Sequence, residues 1–222
     1  MLKINKLSYK YGQQEILNNI SINIAKPGLY VLAGINGCGK STLFNCIAGF
    51  LPTQQGTIEI NNQSKSDGLH SQLGIVTEPF VTTPTLTVSQ ILNICCSIKQ
   101  VDYSVCDYWL NYWELDKTLG KSFKALSVGM RKRLAIVTSL IGDPTFLLWD
   151  EPFNGLDPLG MEKLRELILE LIKQGKTIFL STHILGEIDI NEATFLVLKE
   201  GEIHEVINQT SSKNEVLEIL QN

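Results

Sequence analysis

Gly34-Ile35-Asn36-Gly37-Cys38-Gly39-Lys40-Ser41-Thr42 fits the spacing G-x-x-x-x-G-K-[ST]. The residue types suit one task. Glycines let the backbone curl until consecutive N–H groups face an anion. A helix starting near Ser41 would aim the positive end of its dipole at the same point. Lys40 supplies a point charge for β- and γ-phosphates, and Ser41 a hydroxyl for Mg²⁺. Gly34, Asn36, Gly37, Cys38, Gly39 and Thr42 complete the predicted phosphate-binding set. The flanks are those the motif requires. Gly28 to Ala33 is short and apolar, a buried strand, whereas Phe44, Ile47, Ala48 and Leu51 recur at helical spacing until Pro52. A merely flexible glycine loop would need neither flank.

Two further strand ends bear on the same chemistry. Phe146-Leu147-Leu148-Trp149 is an apolar run that ends in Asp150-Glu151. Asp150 is suited to hold Mg²⁺ through its water shell, and Glu151 to polarise or deprotonate an attacking water. Thr177 to Ser181 is another strand, followed by Thr182 and His183. In an open parallel sheet ligands sit at the carboxyl ends of the strands. His183 is therefore expected at a γ-phosphate or the attacking water.

The rest of the chain alternates strand and helix signals, which predicts a mainly parallel sheet with helices packed on it, an α/β class. Ile20, Ile22 and Ile24 alternate with polar residues, and Ile58 and Ile60 share one face of a second β layer. Leu73 to Val76 reads as a short strand. From about Thr87 to Leu140 the pattern is mostly helical, opening on a Thr87/Gln90 capping box. Val105, Tyr108, Trp109, Tyr112 and Trp113 follow i, i+3, i+4, i+7, i+8, which predicts the packed face of a helix, with a partner-binding surface as the alternative. Asp157-Pro158 is a helix start; Met161, Leu164, Ile168 and Leu171 line its inner face. Phe195 to Leu198 and Ile203 to Ile207, around Glu200-Gly201, predict a hairpin.

Composition bounds the function. With 222 residues, 44% of them hydrophobic, the chain can bury the core of one substantial domain. A net charge of −4 argues against bulk affinity for nucleic acid. No apolar run approaches the ~18–20 residues that span a bilayer, and the first residues lack a signal-peptide pattern. A cytoplasmic chain that reaches a membrane only through a partner is expected. The five cysteines are odd in number and form no C-x-x-C pair, so free thiols are expected rather than a zinc site.

One more motif narrows the class. Leu126-Ser127-Val128-Gly129-Met130 precedes Arg131-Lys132-Arg133, with the phosphate loop upstream and Trp149-Asp150-Glu151-Pro152 downstream. Together these resemble the ATP-binding subunits of ABC transporters. The family signature reads L-S-G-G-Q; this chain departs from it at Val128 and Met130 and keeps Ser127 and Gly129. Tyr11 resembles the aromatic that stacks on adenine, with Tyr9 as its rival. Asn154-Gly155-Leu156-Asp157 resembles the loop at the dimer seam, and His183 matches the switch histidine. Where the family usually has glutamine after the strand Leu73 to Val76, this chain has Glu78. That carboxylate either faces Mg²⁺ or its water, or is a solvated surface acid.

The resemblance runs from about Leu2 to Ile207. It implies a P-loop core with a mainly parallel sheet, an antiparallel β subdomain and a helical subdomain at approximately 79–140, all within one ABC ATPase domain spanning 1–222. It implies catalytic Glu151, His183 and Lys40, and a metal held by Ser41, Asp150 and Glu78. It also implies a homodimer or heterodimer closed head to tail around ATP, with Ser127 and Gly129 of one subunit facing the phosphate loop of the other. An integral membrane permease would hold the chain peripherally on the inner face of the cell membrane. The wording around Ser127 and in Ser181-Thr182-His183-Ile184-Leu185 favours exporters of the multidrug or antibiotic-resistance kind. The alternative is a soluble ABC ATPase in cluster assembly or in ribosome or DNA function. The absence of sustained heptads between Lys40 and Ser127, the single cassette and the acidic balance weigh against the ribosome and DNA roles.

Overall fold

The computed structural model describes residues 2–61, 63–64, 73–183 and 193–207. Ile184 and Leu185 therefore lie outside the described residues. Strands β1 (Leu2–Tyr11), β2 (Gln14–Ile24), β4 (Gln55–Ile60) and β5 (Gln63–Ser64) form an antiparallel sheet in the order β2-β1-β4-β5. In β1 the buried positions change phase, from Leu2 and Ile4 to Leu7 and Tyr9. The register shifts between Ile4 and Leu7, where Lys6 adopts φ 48, and a bulge of this kind re-aims the side chains that follow.

Strands β3 (Gly28–Ala33), β6 (Leu73–Val76), β7 (Phe146–Trp149), β8 (Thr177–Thr182), β9 (Thr194–Lys199) and β10 (Glu202–Ile207) form a second sheet in the order β10-β9-β3-β8-β7-β6. From β9 to β6 every pairing is parallel, and β9 and β10 are the expected hairpin. The parallel strands are apolar along their middles because both their faces are covered. Leu147, Trp149, Ile178 and Leu180 point into one hydrophobic cluster, while Phe146, Leu148 and Phe179 point into the other. Helix α1 (Lys40–Ala48) and the antiparallel sheet cover the second face. Helices α2 (Val88–Lys99), α3 (Val105–Tyr112), α4 (Val128–Leu140) and α5 (Pro158–Lys173) contribute to the first cluster.

Local signals explain the helix ends. Thr87 Oγ1 accepts from Gln90 N at 3.2 Å while Gln90 Oε1 accepts from Thr87 N at 2.9 Å, the reciprocal capping box. Asp157 caps α5, accepting from Gly160 N at 2.9 Å ahead of Pro158. Leu164, Ile168 and Leu171 are buried as expected, joined by Leu167, with Met161 at the margin.

The aromatic stripe on α3 departs from its expected role. The buried face is Cys106, Leu110 and Trp113, at i, i+4 and i+7. Val105 and Tyr108 are exposed, and Trp109 and Tyr112 only flank the core. The reason is that α3 ends at Tyr112 and is clasped to α2 through Cys106, whose Sγ lies 3.4 Å from that of Cys96. Of the five expected residues Trp113 is fully buried, while Tyr108 and Val105 turn outward.

Candidate nucleotide site

Parallel pairing brings the chemistry-bearing residues together. Ala33 at the end of β3 is in register with Thr182 of β8, Leu180 of β8 with Trp149 of β7, and Trp149 with Val76 of β6. The segments that leave these strands carry the phosphate loop, His183, Asp150-Glu151 and Glu78. All emerge at the carboxyl edge of one sheet, at adjoining positions.

The loop has the backbone its sequence predicts. Gly37 and Gly39 take φ 82 and 112, left-handed values open to glycine at little cost. A Cβ on Gly39 would sit 3.1 Å from the carbonyl of Ile16, so the loop also needs glycine to pass β2. Lys40 opens α1 and is only 6% exposed. Its Nζ donates to Gly34 O at 2.8 Å and Ile35 O at 3.3 Å, and lies 3.5 Å from Glu151 Oε1. A buried ammonium without such partners would be expelled or neutralised. Removing one member of a buried pair of this kind costs about 3–5 kcal/mol.

Glu151 stands at the centre. Its other oxygen, Oε2, accepts from His183 Nδ1 at 2.9 Å. A carboxylate can only accept, so Nδ1 carries the proton, and in the neutral ring Nε2 is the acceptor. The Glu151 backbone is unusual, with φ 46 at a side chain that is neither glycine nor asparagine. It is held at both ends. Glu151 N donates to Ser181 Oγ at 3.0 Å, and Glu151 O accepts from Lys132 Nζ at 3.0 Å.

Asp150 is buried beside it. Its Oδ1 accepts from Ser181 Oγ, its carboxyl also takes a hydrogen bond from Ser41, and its N–H donates to Val76 O at 2.8 Å. Burial pushes the Asp150 carboxyl above the usual carboxylate range; the hydroxyls of Ser181 and Ser41 and the charge of Lys40 oppose that rise.

The phosphate loop, Glu78, Glu151, Asn154 and His183 line one cleft of about 580 Å³. The glycine cradle and the buried Lys40 fit a polyphosphate. The hydroxyl of Ser41 beside the carboxylate of Asp150 fits a hard cation, to which both would offer oxygen. No group of three or more His, Cys, Asp or Glu side chains arranged for a metal occurs among the described residues. The donor set thus matches a metal held mainly by phosphates and water, as magnesium usually is.

The remaining expected residues are spread more widely. Glu78 reaches the cleft, but its carboxylate is paired with Lys132. Cys38 Sγ turns inward, against the position of a Cβ on Gly34. Tyr9 is a core side chain, whereas Tyr11 is 50% exposed and packs edge-on against it, with ring centroids 5.0 Å apart. Neither tyrosine lines the cleft. Ser127 and Gly129 also stand apart from it: Ser127 Oγ caps α4, accepting from Met130 N at 3.2 Å, and Gly129 packs near the Gly155 carbonyl.

Comparison with known proteins agrees with this geometry. The family model described as ABC transporter matches residues 17–154. The chain belongs to the ABC transporter family. It is an ATPase subunit of such a transporter. It is 35% identical to the lantibiotic transport ATP-binding protein of Streptococcus pyogenes, covering 100% of this chain and 96% of that one. The bacitracin transport ATP-binding protein of Enterococcus faecalis is 30% identical, over 94% of this chain and 69% of its own. Among solved structures, an ATP-binding subunit of an ABC transporter superposes with TM-score 0.87 at 27% identity, covering 100% of both chains. A dimeric ATP-binding cassette bound to ADP and Pi, in a post-hydrolysis state, gives 0.86 at 25% identity, over 96% of this chain and 100% of that one.

Within this ABC ATPase, Lys132, Ser181 and Ile16 are site residues without a sequence-derived role, and Asn154, expected at the dimer seam, also lines the cleft. For Lys132 a signal did exist. Positions 135, 136 and 139 of α4 are buried, so i+3, i+4 and i+7 place Lys132 on the inner face of its helix. A charge there requires a partner. Ser181 gains its meaning only from the neighbouring strand end, through Asp150 and Glu151. No helix among the described residues is long and apolar enough to cross a membrane.

Proposed function

We propose that the chain is the nucleotide-binding subunit of an exporter of antimicrobial peptides or related antibiotics, closing head to tail with a second subunit around Mg-ATP. The observation that carries the reading is the Lys40–Glu151–His183 chain set against the glycine loop at the carboxyl edge of the sheet. The relatives' printed roles in lantibiotic and bacitracin transport support the class of cargo.

In this reading the loop amides and Lys40 hold the β- and γ-phosphates. A bound Mg²⁺, held by Ser41 and by Asp150 through water, would neutralise phosphate charge. Glu151 accepts a proton from the attacking water or polarises it, and His183 fixes the direction of the Glu151 carboxylate. Tyr11 offers a ring for adenine. Ser127 and Gly129 serve the ATP of the other subunit, so closing needs γ-phosphate and opening follows its loss. The helical segment at approximately 79–140 faces a membrane permease on the cytoplasmic side. Val81, Ile94 and Ile98 are large apolar side chains left exposed there, which supports a covered surface.

Affinity purification of the tagged Glu151→Gln chain from gently solubilised membranes, read by mass spectrometry, tests the proposal. A multi-span membrane protein is the expected main partner. Recovery of soluble partners alone would move the ATPase to an assembly or ribosome-associated role.

A further inference from the structure

Lys132 is the one charged side chain on the buried face of α4, 5% exposed. It joins the segments that follow two different strands. Its Nζ is paired with Glu78 Oε2, beyond β6, and donates at 3.0 Å to the carbonyl oxygen of Glu151, beyond β7. That carbonyl is aimed by the left-handed backbone of Glu151 and also accepts from Asn154 N at 3.2 Å. The N–H of the same residue is held by Ser181. The Glu151 backbone is thus gripped from both sides, while its carboxylate is gripped by Lys40 and His183. A left-handed conformation at such a residue persists only when its surroundings over-determine it. Burying an ammonium is unfavourable unless it is paired and hydrogen-bonded, so the Glu78 carboxylate is required by Lys132 itself.

We propose that Lys132 is a positioning residue for Glu151, and that Glu78 serves as its counter-ion and not as a metal ligand. The proposal rests on the reading of Glu151 as the hydrolytic carboxylate. Lys132 is not among the residues that line the cleft. It acts by holding the Glu151 carbonyl, and through it the angle at which the side chain leaves the backbone.

The test uses the full chain carrying Lys132→Met, Lys132→Arg, Glu78→Gln, or Lys132→Met with Glu78→Gln, beside Glu151→Gln. Hydrolysis, thermal melting and the Mg²⁺ concentration for half-maximal ATP binding are measured on each. Lys132→Met is expected to lower kcat roughly 10- to 100-fold, as loss of a supporting contact to a catalytic group does. KM should stay within about twofold, since no binding contact is removed. Lys132→Arg, which keeps charge and donors, should recover most of the loss. Glu78→Gln should melt about 5 °C lower, because it strands the buried Lys132 ammonium. The double variant should regain that melting temperature without regaining kcat. Should Lys132→Met fail to fold, the double variant, with both charges gone, supplies the kinetic answer.

Full kcat in Lys132→Met, or in the double variant, overturns the positioning role. A rise of about tenfold or more in the Mg²⁺ requirement of Glu78→Gln, the size expected of a lost ligand contact, overturns the counter-ion assignment. Glu151→Gln identifies which reading has failed. If it is inactive while Lys132→Met is fully active, the positioning proposal falls alone. If Glu151→Gln hydrolyses normally, the reading of Glu151 falls and the proposal with it.

Discussion

The carboxyl edge of the parallel sheet and the N-terminus of α4 are built on opposite plans. At the sheet edge Lys40, Asp150, Glu151 and Ser181 are buried and bonded to one another. Their polar groups are bonded to neighbouring strand ends and, for Lys40, to its own loop, so the geometry exists within one chain. At α4 the Ser127 hydroxyl completes its own helix, and Val128 beside it is 69% exposed. The neighbouring segment packed against this start is the loop at Gly155, which approaches Gly129 and Val128. One region is finished within the chain, whereas the other is the helix N-terminus that the proposed function sets against the nucleotide of a second subunit. A subunit with one closed and one open half-site has a physical reason to pair with another.

Perturbing each region separately can break that contrast. The largest effect belongs to Glu151→Gln. Turnover should fall by at least about 100-fold, the range for loss of a general base, while ATP binding persists. Gel filtration with ATP should then show a trapped dimer; a monomer with full hydrolysis would remove Glu151 from its role. Ser127→Arg should act at the open region alone. ATP binding to one subunit, followed by fluorescence, should be spared while ATP-dependent dimerisation is lost. Unchanged dimerisation would show that α4 does not meet the second nucleotide.

A milder probe is Cys38, inside the loop. Burial pushes its thiol up, with Lys40 opposing, so a bulky maleimide should label it slowly at neutral pH and faster as pH rises. In a Cys95→Ser background, the labelled chain should no longer bind ATP. The smallest effect is expected from Asp157→Ala. The Gly160 N–H and the Arg133 guanidinium hold the Asp157 carboxyl below its usual range. A depressed folded value contributes stability above the unfolded value and loses it as pH falls through the folded one. The melting-temperature difference between wild type and Asp157→Ala should therefore be present at pH 7 and shrink below about pH 4.

What was legible in the sequence was whatever ends a short apolar run. The phosphate loop, Asp150-Glu151 and His183 each follow a strand that no other element could mimic, and parallel pairing does the rest. Lys132 was not assigned a role because its partners come from the ends of β6 and β7, which only tertiary structure unites with α4. The α3 stripe misled for a related reason. Spacing alone matched five aromatic or branched residues, of which Trp113 is fully buried and Trp109 and Tyr112 flank the core, whereas Cys106, set against Cys96 on the packed face, carries little weight in a periodicity count. Tyr9 and Tyr11 should share a face by spacing, but the register shifts again between Tyr9 and Lys10, and Tyr11 stands exposed at the last position of β1.

The strand order has a consequence for how the subunit is born. The phosphate loop is translated early, but β3, which carries it, has no parallel neighbours until β8 and β9 are made: Leu32 pairs with Ser181, and Val31 with Phe195. Pairings so distant in sequence form late, and the ribosome releases the N-terminal end first. A nascent chain that stops before Thr177 therefore carries the whole loop motif without a clasped nucleotide site, and should not be retained on immobilised ATP. Affinity for ATP then arises only once β8 and β9 have been made, so that the nucleotide also distinguishes chains with a clasped loop from shorter fragments.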